Sequence, residues 1–276
     1  SDALHASCRE YQELVESANS IIIRWDTDGT IRYANRYALD FFGYSRGEFI
    51  GKGVLDTIVP AKESTGRDLS AMIEDISTHP ERYVSNENEN ICRNQRRVWV
   101  SWTNKAVRNE RGDTIEVLSV GNDITDKKRF EQKIYQLAHY DHLTGLPNRN
   151  HLAQCLSDTI TRAGQEGQHF SVLYIGLDRF KPVNDSLGQD RGDLLLQILG
   201  ERMQLAADDA AAVARMSGDE FCVVLARHEQ PSLAMQSAQQ AAQNLLESIN
   251  RAAVLGEDKV YVTASLCISV FPQHGN

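Results

Sequence analysis

The chain of 276 residues is expected to fold as two mixed domains, an α+β domain and then an α/β domain, joined by a helical linker. Three observations lead there. The length suits two domains of ordinary size, and 41% hydrophobic residues supply two separate cores. Between residues 82 and 124, three segments alternate apolar with polar residues, as half-buried antiparallel strands do. Farther on, Phe170–Leu177 is a nearly continuous apolar run of the kind a buried central strand gives.

Taken in order, Ala3–Ser17 spaces Leu4, Tyr11, Leu14, Val15 and Ala18 as an amphipathic helix. Ile21–Trp25 reads as a strand, Asp26-Thr27-Asp28-Gly29 as a hairpin turn and Thr30–Ala34 as its partner. Asn35 is an N-cap for the helix Arg36–Phe42, and Gly43 a left-handed C-cap. A second helix is expected over Ala61–Ser77, then strands over Arg82–Cys92, Arg96–Arg108 and Thr114–Ile124, the last two joined by a turn at 109–113. From Asp126 to Tyr140 the sequence is charged and free of Gly and Pro. Phe130, Ile134 and Leu137 form a narrow apolar seam there, suited either to pairing with a second copy or to docking on its own domain.

The second domain opens on a turn-rich stretch at Asp141–Arg149, followed by a helix with Leu152, Leu156 and Ile160 on one face. After the Phe170 strand and Asp178–Asp185, a helix opening at Gly188–Asp193 should turn Leu194, Leu195, Ile198 and Leu199 inward. The runs Ala210–Ala214 and Phe221–Ala226 frame a hairpin with an acidic tip, Ser217-Gly218-Asp219-Glu220. Gly218 takes positive φ at little cost, small Ser217 leaves backbone N–H groups open to a phosphate, and the two carboxylates offer oxygen to a hard cation. A helix over Pro231–Ala252 and a strand pair around Val260–Val270 follow.

Composition narrows the function classes. Net charge is −9, which argues against non-specific nucleic-acid binding while allowing a local basic pocket for phosphate. Cys8, Cys92, Cys155, Cys222 and Cys267 form no C-x-x-C pair and read as reduced, mostly buried thiols of a cytosolic protein. No apolar run approaches the roughly 20 residues of a membrane helix, and no signal peptide is visible. The expected location is the cytoplasm, as a free protein or as the soluble part of a larger or membrane-attached one. Neither end reads as a natural terminus.

Ser20–Trp25 with Asp28-Gly29, Tyr33-Ala34-Asn35, Phe42-Gly43-Tyr44 and Asp123-Ile124-Thr125 resemble a PAS sensor domain, in order and spacing, over residues 10–126. The resemblance implies a five-stranded antiparallel sheet with flanking helices, a pocket between them for a small molecule or cofactor, and a role in dimerisation. The ligand stays unnamed. No Asn-Cys-Arg-Phe flavin-adduct motif is present, His79 beside Pro80 reads as a solvated helix end rather than a haem ligand, and Trp25 as core packing rather than a flavin stack.

Asp141-x-Leu-Thr-Gly-Leu-x-Asn-Arg, Leu177-Asp178-x-Phe-Lys-x-x-Asn-Asp, Gly192-Asp193 and Ser217-Gly218-Asp219-Glu220-Phe221 resemble the GGDEF domain of diguanylate cyclases. The boundaries become 1–126 for the sensor with its N-terminal helix, 127–140 for a signalling linker helix and 141–276 for the GGDEF domain. The resemblance implies a palm-like sheet surrounded by helices that binds GTP with Mg²⁺, two such domains facing each other to make cyclic di-GMP. By motif position, Asn184 and Asp193 meet the guanine edge, and Lys181 with the Phe180 backbone meets the terminal phosphates. Ser217 and Gly218 line the phosphate approach. Asp219 and Glu220 serve metal and catalysis, with the Leu177 carbonyl and Asp178 as further metal oxygens.

The departures are as informative. Where the family carries a metal-binding aspartate two residues before Asp178, this chain has Gly176, and the motif's first glycine is Ser217. Residues 176 and 178 share a side of a regular strand, so Asp178 is the candidate substitute. The family's Arg-x-x-Asp feedback site is Asp208 and Ala211 here, which implies its loss. The chain also stops at Asn276, where the resemblance implies a further helix bearing a phosphate-binding Lys and Arg, so the domain is expected to lack its C-terminal end. Three readings stay open: a GTP-binding regulatory domain impaired in turnover, one that in relatives often precedes a cyclic di-GMP phosphodiesterase; an active diguanylate cyclase that tolerates Gly176 and Ser217; and a dimer scaffold that binds no nucleotide.

Overall fold

A computed structural model describes residues 2–207 and 210–275. The side chains of Leu4, Cys8 and Tyr11, and residue Asp208, lie outside the described residues. The chain divides into two compact units, Ser1–Glu131 and Gln132–Asn276, each with its own apolar core.

The first unit opens with α1 (Asp2–Ser17), β1 (Ile21–Asp26) and β2 (Ile31–Ala34). Asn35 is fully buried and starts α2 (Arg36–Phe42): its Oδ1 accepts from the N–H groups of Ile22 and Ala38, and its Nδ2 donates to Val15 and Ser20 carbonyls. Two single-turn helices, α3 (Arg46–Phe49) and α4 (Val54–Thr57), escaped the sequence reading because one turn has no periodicity to detect. The helix expected over Ala61–Ser77 is shorter. It is α5 (Leu69–Thr78), started by Asp68, whose carboxylate accepts from the N–H groups of Ser70 and Ala71. A 3-10 turn over Pro80–Tyr83 delays β3 to Ser85–Ile91, followed by β4 (Arg97–Arg108) and β5 (Thr114–Asp123).

All pairings in this sheet are antiparallel, in the order β2-β1-β5-β4-β3. The helices cover one face, where Ile21, Ile31, Phe42, Phe49, Ile58, Leu69 and Trp102 are buried. α6 (Thr125–His139) begins as Asp123 accepts from both the N–H and hydroxyl of Thr125, and it carries the seam outward: Phe130, Ile134 and Leu137 are 67, 66 and 64% exposed.

The second unit continues with α7 (Arg149–Glu166), β6 (Phe170–Leu177), α8 (Phe180–Leu187), α9 (Gln189–Ala206), β7 (Ala210–Ser217), β8 (Glu220–Leu225), α10 (Pro231–Ile249), β9 (Ala253–Leu255), β10 (Asp258–Val260) and β11 (Ala264–Phe271). The four-stranded sheet runs β11-β6-β8-β7, so the apolar β6 sits inside. Leu173, Ile175 and Leu177 share one core with residues of α9 and α10, while α7 covers the opposite face around Ala214, Cys222 and Val224.

Leu194 is exposed, not inward as expected. The inward stripe of α9 is Gly192, Leu195, Leu196, Leu199, Gly200 and Met203, the i, i+3, i+4 set that a 100° step allows. α10 stops at Ile249, short of Ala252, and the Arg202 guanidinium donates to the carbonyls of Arg251 and Ala252 beyond its end. The expected strand pair near Val260–Val270 separates: β10 pairs with β9, and β11 joins β6 along eight residues. Cys92 and Cys222 are buried and Cys155 partly so, but Cys267 is exposed on edge strand β11.

Candidate functional site

The acidic hairpin forms as its sequence dictates. Ser217 pairs with Glu220, and Gly218 and Asp219 make a two-residue turn in which Gly218 has φ +49°. Three contacts fix the tip. The Leu177 N–H donates to the Asp219 carbonyl at 3.1 Å, and the Arg215 guanidinium donates to the Gly218 carbonyl at 2.7 and 3.0 Å. The same guanidinium donates to Asp141 Oδ1 at 2.9 Å, binding hairpin to domain entrance.

Four strands meet in one register row: Ser265 of β11 pairs with Gly176, Gly176 with Glu220, and Glu220 with Ser217. This row holds a single carboxylate. The Ser217 hydroxyl donates to Glu220 Oε2 at 3.0 Å. Beside it, the bond to the Glu220 carboxylate holds the Tyr174 phenol above its usual pKa.

Asp178 does not turn toward the hairpin. It accepts from the Thr263 hydroxyl at 2.7 Å and the Ser265 hydroxyl at 2.8 Å, on the β11 side of β6. Those two bonds hold its carboxyl below the ordinary range. Gly176 lies between the Asp178 and Glu220 positions, and a Cβ added there meets nothing within 4 Å. Among the described residues no three or more His, Cys, Asp or Glu side chains gather as a metal site. With no side chain at position 176 and Asp178 engaged by Thr263 and Ser265, the metal centre that the motifs imply lacks the strand carboxylate and is left with Asp219, Glu220 and the Leu177 carbonyl.

The nucleotide-facing residues sit on α8 and α9. Phe180, buried, and Lys181, exposed, form the first turn of α8 directly after the β6 end, with Arg179 at φ +53° making the corner. Asn184 packs its side-chain oxygen against Gly192, where a Cβ would come within 1.7 Å of it. That Oδ1 is buried and has no partner among the described residues, an acceptor beside the half-buried Asp193. Ala211 lies in β7, while its expected feedback-site partner Asp208 is outside the described residues.

Residues 138–276 match the family model described as diguanylate cyclase, GGDEF domain. The chain belongs to the GGDEF family. Ahead of the GGDEF domain, residues 9–124 match the PAS fold. The cyclic di-GMP phosphodiesterase PdeR of Escherichia coli (strain K12) is 28% identical over 269 residues, 96% of this chain and 39% of the relative. Diguanylate cyclase DgcM of the same strain is 28% identical over 273 residues, 95% of this chain and 60% of the relative. A solved sensory box/GGDEF family protein from Caulobacter crescentus CB15 is 36% identical, with TM-score 0.46 over 50% of this chain and 86% of that one. The chain thus spans less than two thirds of either curated relative, and its GGDEF domain has homologues in cyclic di-GMP signalling.

Sequence reasoning missed Arg215, Asp141, Tyr174, Thr263 and Ser265 as parts of this site. Arg215 and Asp141 stood in or beside the quoted motifs, but nothing in a sequence pairs residues 74 apart.

A cavity lies inside the PAS unit. It encloses about 30 Å³ between Trp25, Ile58, Met72, Ile76, Asn88 and Asn104. A hydrogen-bond chain crosses its wall: Trp25 Nε1 donates to Ser119, Ser119 to Asn104, Asn104 to Asn86, and Asn86 to Asn88. That space suits one or two waters; a larger ligand requires the walls to move. Trp25 packs in the core, and His79 Nδ1 faces Asp75 at the end of α5. Among the described residues no helix is long and apolar enough to cross a membrane.

Proposed function

We propose that this is a cytoplasmic cyclic di-GMP signalling protein whose GGDEF domain binds GTP as a regulatory ligand, is impaired in turnover and responds to the PAS unit. One observation carries the reading: Asp178 is held by Thr263 and Ser265, and Gly176 stands opposite Glu220, so no second carboxylate faces the hairpin. Joining two GTP molecules places negative charge on both the attacking and the leaving oxygen, and that charge needs dense positive compensation. Losing it costs orders of magnitude in rate. Binding requires less. Asn184 and Asp193 supply acceptors for the guanine N–H groups, Lys181 and the Phe180 N–H meet phosphate oxygens, and Ser217, Gly218, Asp219 and Glu220 form the wall opposite.

The protein acts as a homodimer through the PAS unit and the exposed α6 seam, with a cyclic di-GMP phosphodiesterase domain as the effector that GTP occupancy controls. Support for that effector comes from PdeR, of which this chain covers 39%.

The test is to incubate the protein with GTP and Mg²⁺, following binding by calorimetry and cyclic di-GMP by chromatography. Saturable GTP binding with negligible product is expected. Robust turnover abolished by Asp219→Ala would establish the active cyclase instead, and absence of binding would establish the scaffold.

A further inference from the structure

We infer that guanine-nucleotide binding by this domain is independent of divalent metal, which rests on the reading that the domain binds GTP. Hydroxyl groups engage two of the three carboxylates that a metal would use, Glu220 and Asp178, and leave Asp219 as the remaining one. Glu220 is held by Ser217 of β7 and Asp178 by Thr263 and Ser265 on the β11 side, so the two carboxylates are fixed to either side of β6. Mg²⁺ demands near-octahedral oxygens at about 2.0–2.1 Å and sheds its waters reluctantly, so carboxylates fixed apart by other bonds offer it little.

The hairpin needs no ion to hold its shape either. The Leu177 N–H on the Asp219 carbonyl and the Arg215 guanidinium on the Gly218 carbonyl do so from within the protein. The compensating charge for a nucleotide is Lys181, with Arg179 beside it, at the start of α8, whose first turn has no side-chain cap on its N–H groups. Two consequences follow from this arrangement. Affinity is set by the base contacts and Lys181, and it differs little between GTP and GDP, because no metal bridges the β- and γ-phosphates to tell them apart.

The test titrates the protein with GTP, GDP and ATP in Mg²⁺ and, separately, in EDTA. Wild-type affinities for GTP in the two buffers agree within about threefold, GDP stays within about tenfold of GTP, and ATP binds far more weakly. A loss of about tenfold or more in EDTA overturns the inference while leaving GTP binding intact. No GTP binding in either buffer overturns the underlying reading, and this inference with it. Gly176→Asp, for which the backbone leaves open room, gains Mg²⁺ dependence; its fold is checked by circular dichroism. Ser265→Ala, which releases one oxygen of Asp178, gains it to a smaller degree. Identical affinities in both buffers for both variants, each folded, would show that Gly176 and the hydroxyl partners are not what excludes metal, and would overturn the argument.

Discussion

The Arg215 guanidinium donates to Asp141 Oδ1 at 2.9 Å while its other nitrogens hold the Gly218 carbonyl, so one side chain fixes both the acidic turn and the domain entrance. The Arg215 and Asp141 side chains are only 10 and 18% exposed. Arg215→Met leaves Asp141 short of its cation and the turn unclamped. A stability loss of about 3 kcal/mol is expected, read from the denaturant midpoint of the GGDEF transition.

Burial pushes the Asp141 carboxyl up, but hydrogen bonds from the Thr144 hydroxyl and N–H and the Arg215 guanidinium outweigh it, so the folded value lies below the ordinary 3.8. A depressed folded value means the contribution is fully present above the unfolded value. It is lost as pH falls below 3.8 through the folded one. Asp141→Asn should be less stable than wild type at neutral pH, and the gap should narrow on acidification. A gap that stays constant down to about pH 3 would refute the assignment.

In the PAS unit, Ser119 accepts from the Trp25 indole at 2.9 Å and donates to Asn104 at 2.7 Å. Ser119→Ala strands a buried N–H and a buried amide oxygen. The PAS transition should lose about 1–3 kcal/mol, whereas the double variant Ser119→Ala, Trp25→Phe should recover part of it.

Gly176→Asp places a carboxylate in the row between Ser265 and Glu220, at a position where a Cβ finds open space. Cyclic di-GMP formation should rise by about tenfold or more over wild type, measured by chromatography with GTP and Mg²⁺. An unchanged rate would show that the missing carboxylate is not what limits the chemistry.

Phe130, Ile134 and Leu137 leave an apolar seam exposed along α6. Ile134→Cys under mild oxidation should give a disulfide-linked dimer on a non-reducing gel. A chain that stays monomeric counts against a parallel seam between two copies.

What the sequence determined by itself was whatever is local. Gly218 between two apolar runs specifies the hairpin, Asn35 starts α2, and the unbroken apolar run of Phe170–Leu177 specifies an interior strand; each depends on neighbours a few residues away. Ordered motifs separately marked the family, and Gly176 could be read directly as a missing carboxylate. The single-turn helices α3 and α4 left no periodicity, and α5 starts late because residues 62–68 close a turn around Gly66, at φ +90°, before the Asp68 cap. The direction of Asp178 was decided only in three dimensions. Strand alternation puts residues 176 and 178 on one side, yet β11 returns 85 residues later with Thr263 and Ser265 and draws the carboxylate to itself. Hydrogen-bond partners brought together by sheet order, rather than side-chain spacing along one strand, set whether that oxygen faces the hairpin, and sheet order exists only in the folded chain.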